Sequence, residues 1–145
     1  MKKILSLFAF LIMSFLICTP SFAAEWFSLA KDGGTEYFID IDSVAERKSA
    51  GERYIVLWTK EVYSKPIARE EINGGKYDTE VKMLALDPSS PRMKILKISW
   101  YLKGKSVDGL SQNFNDDSYD EIIPDSVGQV YYECGMIVYR KKAGL

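Results

Sequence analysis

"YDTEVKMLALD", residues 77–87, alternates apolar or small side chains with charged ones. Side chains of a β-strand alternate between two faces. Here Tyr77, Thr79, Val81, Met83 and Ala85 fall on one face, and Asp78, Glu80 and Lys82 on the other. The alternation predicts a strand with one wet face for most of its length. Working outward, "DPSSP" (87–91) has the composition of a turn. "RMKILKISWYLKG" (92–104) then predicts the returning strand of a long hairpin, with Leu96, Ile98, Trp100 and Leu102 sharing a face.

Upstream, "ERYIVLWTKEVYS" (52–64) is β-branched and aromatic on both parities. That pattern predicts a central strand covered on both faces for part of its length. Between the two strands, "KPIAREEINGG" (65–75) breaks the pattern with Pro66 and a glycine pair, so a loop is expected there. Earlier still, "EWFSLA" (25–30) and "TEYFID" (35–40) flank "KDGG" and read as a hairpin. In "DSVAE" (42–46), Ser43 and Glu46 stand at capping-box spacing, which predicts a turn or two of helix.

Downstream, residues 105–120 form a polar stretch pinned only by Val107, Leu110 and Phe114. It reads as a long loop with room for a short edge strand. In "YDEIIPDSVGQVYYE" (119–133), Pro124 ends the extended segment, and Ser126 with Gln129 offers a capping box. Val127, Val130, Tyr131, Cys134, Ile137 and Val138 then recur at spacings of three and four, the stripe of an amphipathic helix. Gly128 and Gly135 each weaken a helix by about 1 kcal/mol relative to alanine. Close packing on the sheet is therefore expected at both. Arg140, Lys141 and Lys142 suit the negative end of the helix dipole. The expected fold is α+β, an antiparallel β-sheet meander packed against a C-terminal α-helix.

The chain has 145 residues and begins "MKKILSLFAFLIMSFLICTPSFAAEW". Lys2 and Lys3 precede an apolar run from Ile4 to Cys18, Pro20 follows, and Ser21 and Ala23 fit the small positions before a signal-peptidase cut. Residues 1–23 are expected to be a signal peptide and 24–145 a single domain, with no integral membrane span after cleavage. Ile17 before Cys18 is too large for the usual lipoprotein pattern, which leaves lipidation and an uncleaved anchor as lesser alternatives. Cleavage removes two lysines from a chain whose formal net charge is −1. The resulting acidic balance speaks against nucleic acid as a partner.

Two absences narrow the chemistry further. The chain contains no histidine, so Ser-His-Asp, Cys-His and imidazole–zinc sites are excluded. Cys18 leaves with the leader, so Cys134 is the lone mature thiol and cannot close an internal disulfide. It is either buried on the helix stripe or a candidate intermolecular thiol.

Several constellations have both a chemical and a plainer reading. Asp40 and Asp42 in "FIDIDS" share one strand face and could pose as a carboxylate pair, but they also fit a turn and a cap. "NFNDDSYDE" (113–121) presents Asn113, Asn115, Asp117, Asp120 and Glu121. An EF-hand counted from Asn113 needs glycine and glutamate where Ser118 and Pro124 stand, so that reading fails and a solvated loop competes with an irregular calcium site. "SLAK" (28–31) has Ser-x-x-Lys spacing without the companion motifs. Tyr131 is expected in the core, with Tyr132 and Tyr139 at the surface or an interface. No catalytic residue, cofactor or metal site is expected.

Taken in order, "EWFSLA", "YFIDIDSV", "YDTEVKMLALDPSSPRMKIL" and "IIPDSVGQVYYE" resemble the bacterial surface-adhesin protein E family. The resemblance spans most of residues 24–145. It implies a small exported domain, an antiparallel sheet on a C-terminal helix, and adhesion to host glycoproteins. Many members pair a cysteine after an aspartate in the middle hairpin with one near the C-terminus. Here Asp87 is followed by Pro88, so the partner of Cys134 is missing.

The expected function is that of an exported, non-enzymatic binding domain. It would work on the cell surface or in the periplasm, meeting a protein or glycoprotein ligand through sheet edges and the 65–76 and 105–120 loops. The alternative is a periplasmic structural or assembly factor that binds another envelope protein by strand addition. A hydrolase using Asp40 and Asp42 stands third. A homodimer is open to either binding reading, through a sheet edge or through Cys134.

Overall fold

A computed structural model describes residues 24–49, 51–69, 75–111 and 119–145. Strands β1 (Trp26–Asp32), β2 (Thr35–Ser49), β3 (Glu52–Ala68), β4 (Lys76–Leu86), β5 (Arg92–Leu102) and β6 (Lys105–Ser111) pair antiparallel in chain order. A short β7 (Asp120–Glu121) pairs with Arg92 and Met93 of β5. Helix α1 (Val127–Ala143) closes the chain, so the α+β meander is present and is mostly sheet.

Local chemistry accounts for the hairpins. Gly33 and Gly34 both hold positive φ between the paired Asp32 and Thr35, the geometry a two-residue turn needs to match strand twist. Lys103 and Gly104 do the same between Leu102 and Lys105. The central strands behave as their composition predicts: Tyr54, Ile55, Val56 and Leu57 are all buried.

α1 covers one face. Ile39, Val44, Ile55, Leu57, Leu84 and Leu86 pack there with Tyr131 and Met136. A Cβ on Gly135 would lie 2.9 Å from Leu86 Cδ1 and 3.0 Å from Leu57 Cδ2, and one on Gly128 would lie 2.7 Å from Met93 Cε. Both glycines are therefore contact points, as their cost to the helix suggested. The opposite face of the sheet has its own cluster of Tyr54, Val56, Ala85 and Leu96.

The ends of the helix are tied down. Ser126 Oγ accepts from the Gln129 N–H at 3.3 Å, while Gln129 Oε1 accepts from the Asp125 N–H at 2.8 Å, one residue before the cap. At the other end, Gly144 takes the left-handed cap conformation. Lys142 Nζ donates to the carbonyls of Ile41 (2.8 Å) and Asp42 (3.1 Å), anchoring the last turn to β2.

Four sequence expectations need correction. No helical turn forms over 42–46: Ser43 Oγ donates to the Asp40 carbonyl and accepts from the Trp58 N–H, holding an irregularity inside β2. Capping-box spacing alone could not distinguish these roles, because a serine can bond backbone in either. Leu96 does not share a face with Ile98 and Trp100, because β5 shifts register against β4 between Met83 and Leu84. On α1, Ile137 is 62 % exposed while Met136 is buried, so the inner stripe runs through Gly128, Tyr131, Gly135 and Met136. β3 also continues past Ser64 to Ala68, with its register shift between Val62 and Ile67. The expected edge strand within 105–120 is present as β6.

Candidate functional site

The most distinctive chemistry lies where the sequence reading placed a wet face. Along β3 the parity of Ile55 and Leu57 continues through Thr59 and Glu61; along β4 that of Leu86 and Leu84 continues through Lys82 and Glu80. Glu61 and Glu80 are direct cross-strand partners and both are buried. This corrects the assignment of Glu80 and Lys82 to solvent.

Two carboxylates opposite each other would repel, and Lys82 resolves the conflict. Its Nζ lies 2.8 Å from Glu61 Oε1 and 2.5 Å from Glu80 Oε1. Tyr63 donates to Glu61 Oε2 at 2.9 Å, and Trp100 Nε1 donates to Glu80 Oε2 at 2.6 Å. Arg69 approaches Glu80 at 3.4 Å and sits over the Trp100 ring. Tyr63, Tyr77 and Trp100 pack together, with Tyr63 and Tyr77 edge to face.

Burial would lower the Lys82 pKa, but Glu61 and then Glu80 outweigh it and raise the value above its ordinary position. Tyr63 is pushed upward by burial and by the Glu61 charge. Tyr131 is pushed upward by burial first and then by Glu61. The Tyr131 hydroxyl and Thr59 Oγ1 are neighbours that act on each other electrostatically, yet neither makes a well-aligned hydrogen bond. The arrangement is a neutralised polar core, which fixes the β3–β4 register rather than presenting a reactive group to solvent.

Asp40 and Asp42 do not form a carboxylate pair. Asp40 is buried and its Oδ1 accepts from the Asp42 N–H at 3.1 Å and the Ser43 N–H at 3.3 Å. Asp42 is exposed and lines a cleft with Trp58 and Met83 that Asp40 does not reach. Of the oxygen-rich stretch, residues 113–117 lie outside the described residues, and Asp120 and Glu121 are exposed in β7. No metal-binding cluster is found among the described residues.

Cys134 is half-buried against the core edge. Burial and the Glu133 charge push its thiol above the ordinary value, which disfavours the reactive thiolate. Tyr131 is fully in the core; Tyr132 and Tyr139 are half-buried and donate to the Asp87 carbonyl and to Glu46. A separate ion network holds the 87–92 turn, where Arg92 meets Asp87 at 2.6 Å and Ser90 at 2.8 Å.

Among the described residues, both margins of the sheet are unpaired: β1 is hydrogen-bonded to β2 alone and exposes Phe27, while β6 exposes Val107 and Leu110. Of the two expected contact loops, the 65–76 region includes the end of β3 and the start of β4, and the 105–120 region includes β6 with Val107 and Leu110; residues 70–74 and 112–118 lie outside the described residues. No helix among the described residues is long and apolar enough to cross a membrane. Comparison with models of known protein families finds no matching family, and comparisons with curated proteins and with solved structures likewise find no match.

Proposed function

We propose that this chain is an exported, non-enzymatic binding domain that resembles surface-adhesin protein E and meets a protein or glycoprotein ligand. The observation that carries the reading is the meander whose two edges are unpaired among the described residues, each bearing an exposed large apolar side chain, Phe27 on β1 and Leu110 on β6. Open edges offer unpaired backbone donors and acceptors to another chain. The leader-like residues 1–23 and the order of motifs supply the compartment and the likeness. The buried charges are neutralised within the fold, so recognition falls to edges and loops.

Purified protein should bind immobilised matrix glycoproteins saturably, and Phe27→Lys or Leu110→Lys should weaken that binding. Absence of saturable binding by a folded protein, together with absence from the cell surface, would remove the adhesion reading.

The second reading is a periplasmic structural or assembly factor. The β1 edge, unpaired among the described residues, favours it, because strand addition is an established way for a partner to be held. Co-purification of one stoichiometric envelope protein from crosslinked cells would select this reading over adhesion.

A further inference from the structure

We propose that the edge of β1, unpaired among the described residues, and the first turns of α1 form a docking groove for an extended, lysine- or arginine-bearing segment of a partner protein, added as a strand beside β1. This rests on the binding-domain reading and names the chemistry of its partner. The β1–β2 hairpin and the start of α1 enclose a cleft of about 500 Å³. Its floor is apolar, with Ala30 and Tyr37 from the hairpin facing Val127 and Val130 from the helix.

The charged side chains on its walls all have one sign. Asp32, Asp125 and Glu133 line the cleft, and no lysine or arginine does among the described residues. None of the three makes an ion pair among the described residues; Glu133 accepts a hydrogen bond from Gln129. Lys31, the adjacent cation, pairs with Glu36 in the register and so belongs to the alternate side of the strand.

A strand added to β1 would alternate its side chains in the same way. Every second residue would face the groove, where apolar groups meet Ala30 and the exposed Phe27 and cationic tips reach the carboxylates. Phe27 is opposite Ile39 of the helix-covered core, so it lies on the groove's side of the sheet. β1 shifts register between Ser28 and Ala30, an irregularity that discourages indiscriminate edge pairing. Selection then falls to the charge of the groove. The β6 edge carries both signs, Lys105 and Asp108, and lacks that bias.

The test uses the purified protein and a fluorescein-labelled octapeptide of alternating valine and lysine. Controls are a valine–glutamate octapeptide, a block isomer with the lysines together, and a lysine peptide N-methylated on alternate amides. Fluorescence anisotropy should rise saturably for the alternating lysine peptide and at least about tenfold more weakly for every control. Asp32→Lys/Glu133→Lys should abolish the preference, Asp32→Asn/Glu133→Gln should weaken binding about tenfold, and Ile95→Thr, at an exposed position on β5 away from the groove, should leave it unchanged. Circular dichroism melting checks that each variant is folded.

Equal binding of lysine and glutamate peptides, equal binding of the N-methylated peptide, or indifference to both groove variants would overturn the proposal. So would concentration-dependent self-association, blocked by the groove variants and seen without peptide, which would assign the edge to a second copy. Glycoprotein or envelope-protein binding that survives Asp32→Lys/Glu133→Lys would sustain the binding-domain reading while removing this groove.

Discussion

Strands β3 and β4 carry two halves of one face, and the halves are held by different physics. Under α1, Ile55, Leu57, Leu84 and Leu86 are buried by contact with Tyr131, Gly135 and Met136. Further along the same strands, Glu61 and Glu80 are also buried, but within a network of charges and side-chain donors that includes the half-buried Lys82. The apolar half gains from burial of area whatever the details of its partners. The polar half is stable only if every charge keeps its counterpart, because an orphaned buried ion costs several kcal/mol. Parity along a strand thus reports which face a residue occupies, while its chemistry reports what that face must supply.

The contrast is broken most severely at Lys82. Lys82→Met should destabilise the fold by about 3–5 kcal/mol, since it leaves two opposed buried carboxylates. Combining it with Glu61→Gln and Glu80→Gln should recover much of that loss, which urea unfolding would register. Leu57→Ala, in the apolar half, should cost about 2–5 kcal/mol with no comparable rescue by charge removal.

The next effect sharpens the role of the helix contact. Gly135→Ala forces a methyl against Leu86 and Leu57 and should cost about 1–3 kcal/mol by thermal or urea unfolding. Gly128→Ala meets only the flexible end of Met93 and should cost less, with the gain in helix propensity offsetting part of it.

Titration separates the halves from another direction. The raised folded pKa of Lys82 contributes stability that is complete below its ordinary value of 10.5 and lost as pH rises through the folded value. Tyr63 and Tyr131, also raised, lose stability above their ordinary 10.0, in the same sense. At Asp87, burial acts upward, but the Ser89 N–H, Ser90 and Arg92 outweigh it and lower the pKa from 3.8. Its contribution is present above that value and lost as pH falls through the lower folded one. Asp87→Asn should therefore flatten the acid limb of the stability–pH curve. The smallest expected effect is at Cys134, whose raised pKa should make its reaction with a disulfide reagent at pH 8 slower than that of a small free thiol.

The fold was legible where periodicity was long and turns were chemically marked. Alternation in 77–87, the KDGG hairpin and the Ser126 cap each predicted the element that is present. What periodicity could not supply was register. The irregularities at Asp40/Ala45, Val62/Ile67 and Met83/Leu84 move Leu96 away from Ile98 and lengthen β3, and no local pattern announces them. The polar core escaped for a different reason: Glu80 and Lys82 read as solvated when β4 is taken alone. The signal that finds them is joint, because their parity continues into Leu84 and Leu86, and Glu61 follows Ile55 and Leu57 on the neighbouring strand. The edge groove needed the fold itself, since Asp32 and Glu133 are far apart in sequence.

Protease accessibility on cells would show whether the domain is exported to meet its ligand. Native cells, cells with a permeabilised outer membrane and fully lysed cells would be digested and probed for residues 24–145. The account predicts digestion before lysis: on intact cells for a surface adhesin, or after outer-membrane permeabilisation for a periplasmic partner-binding domain. Protection until full lysis, with residues 1–23 still attached, would contradict it.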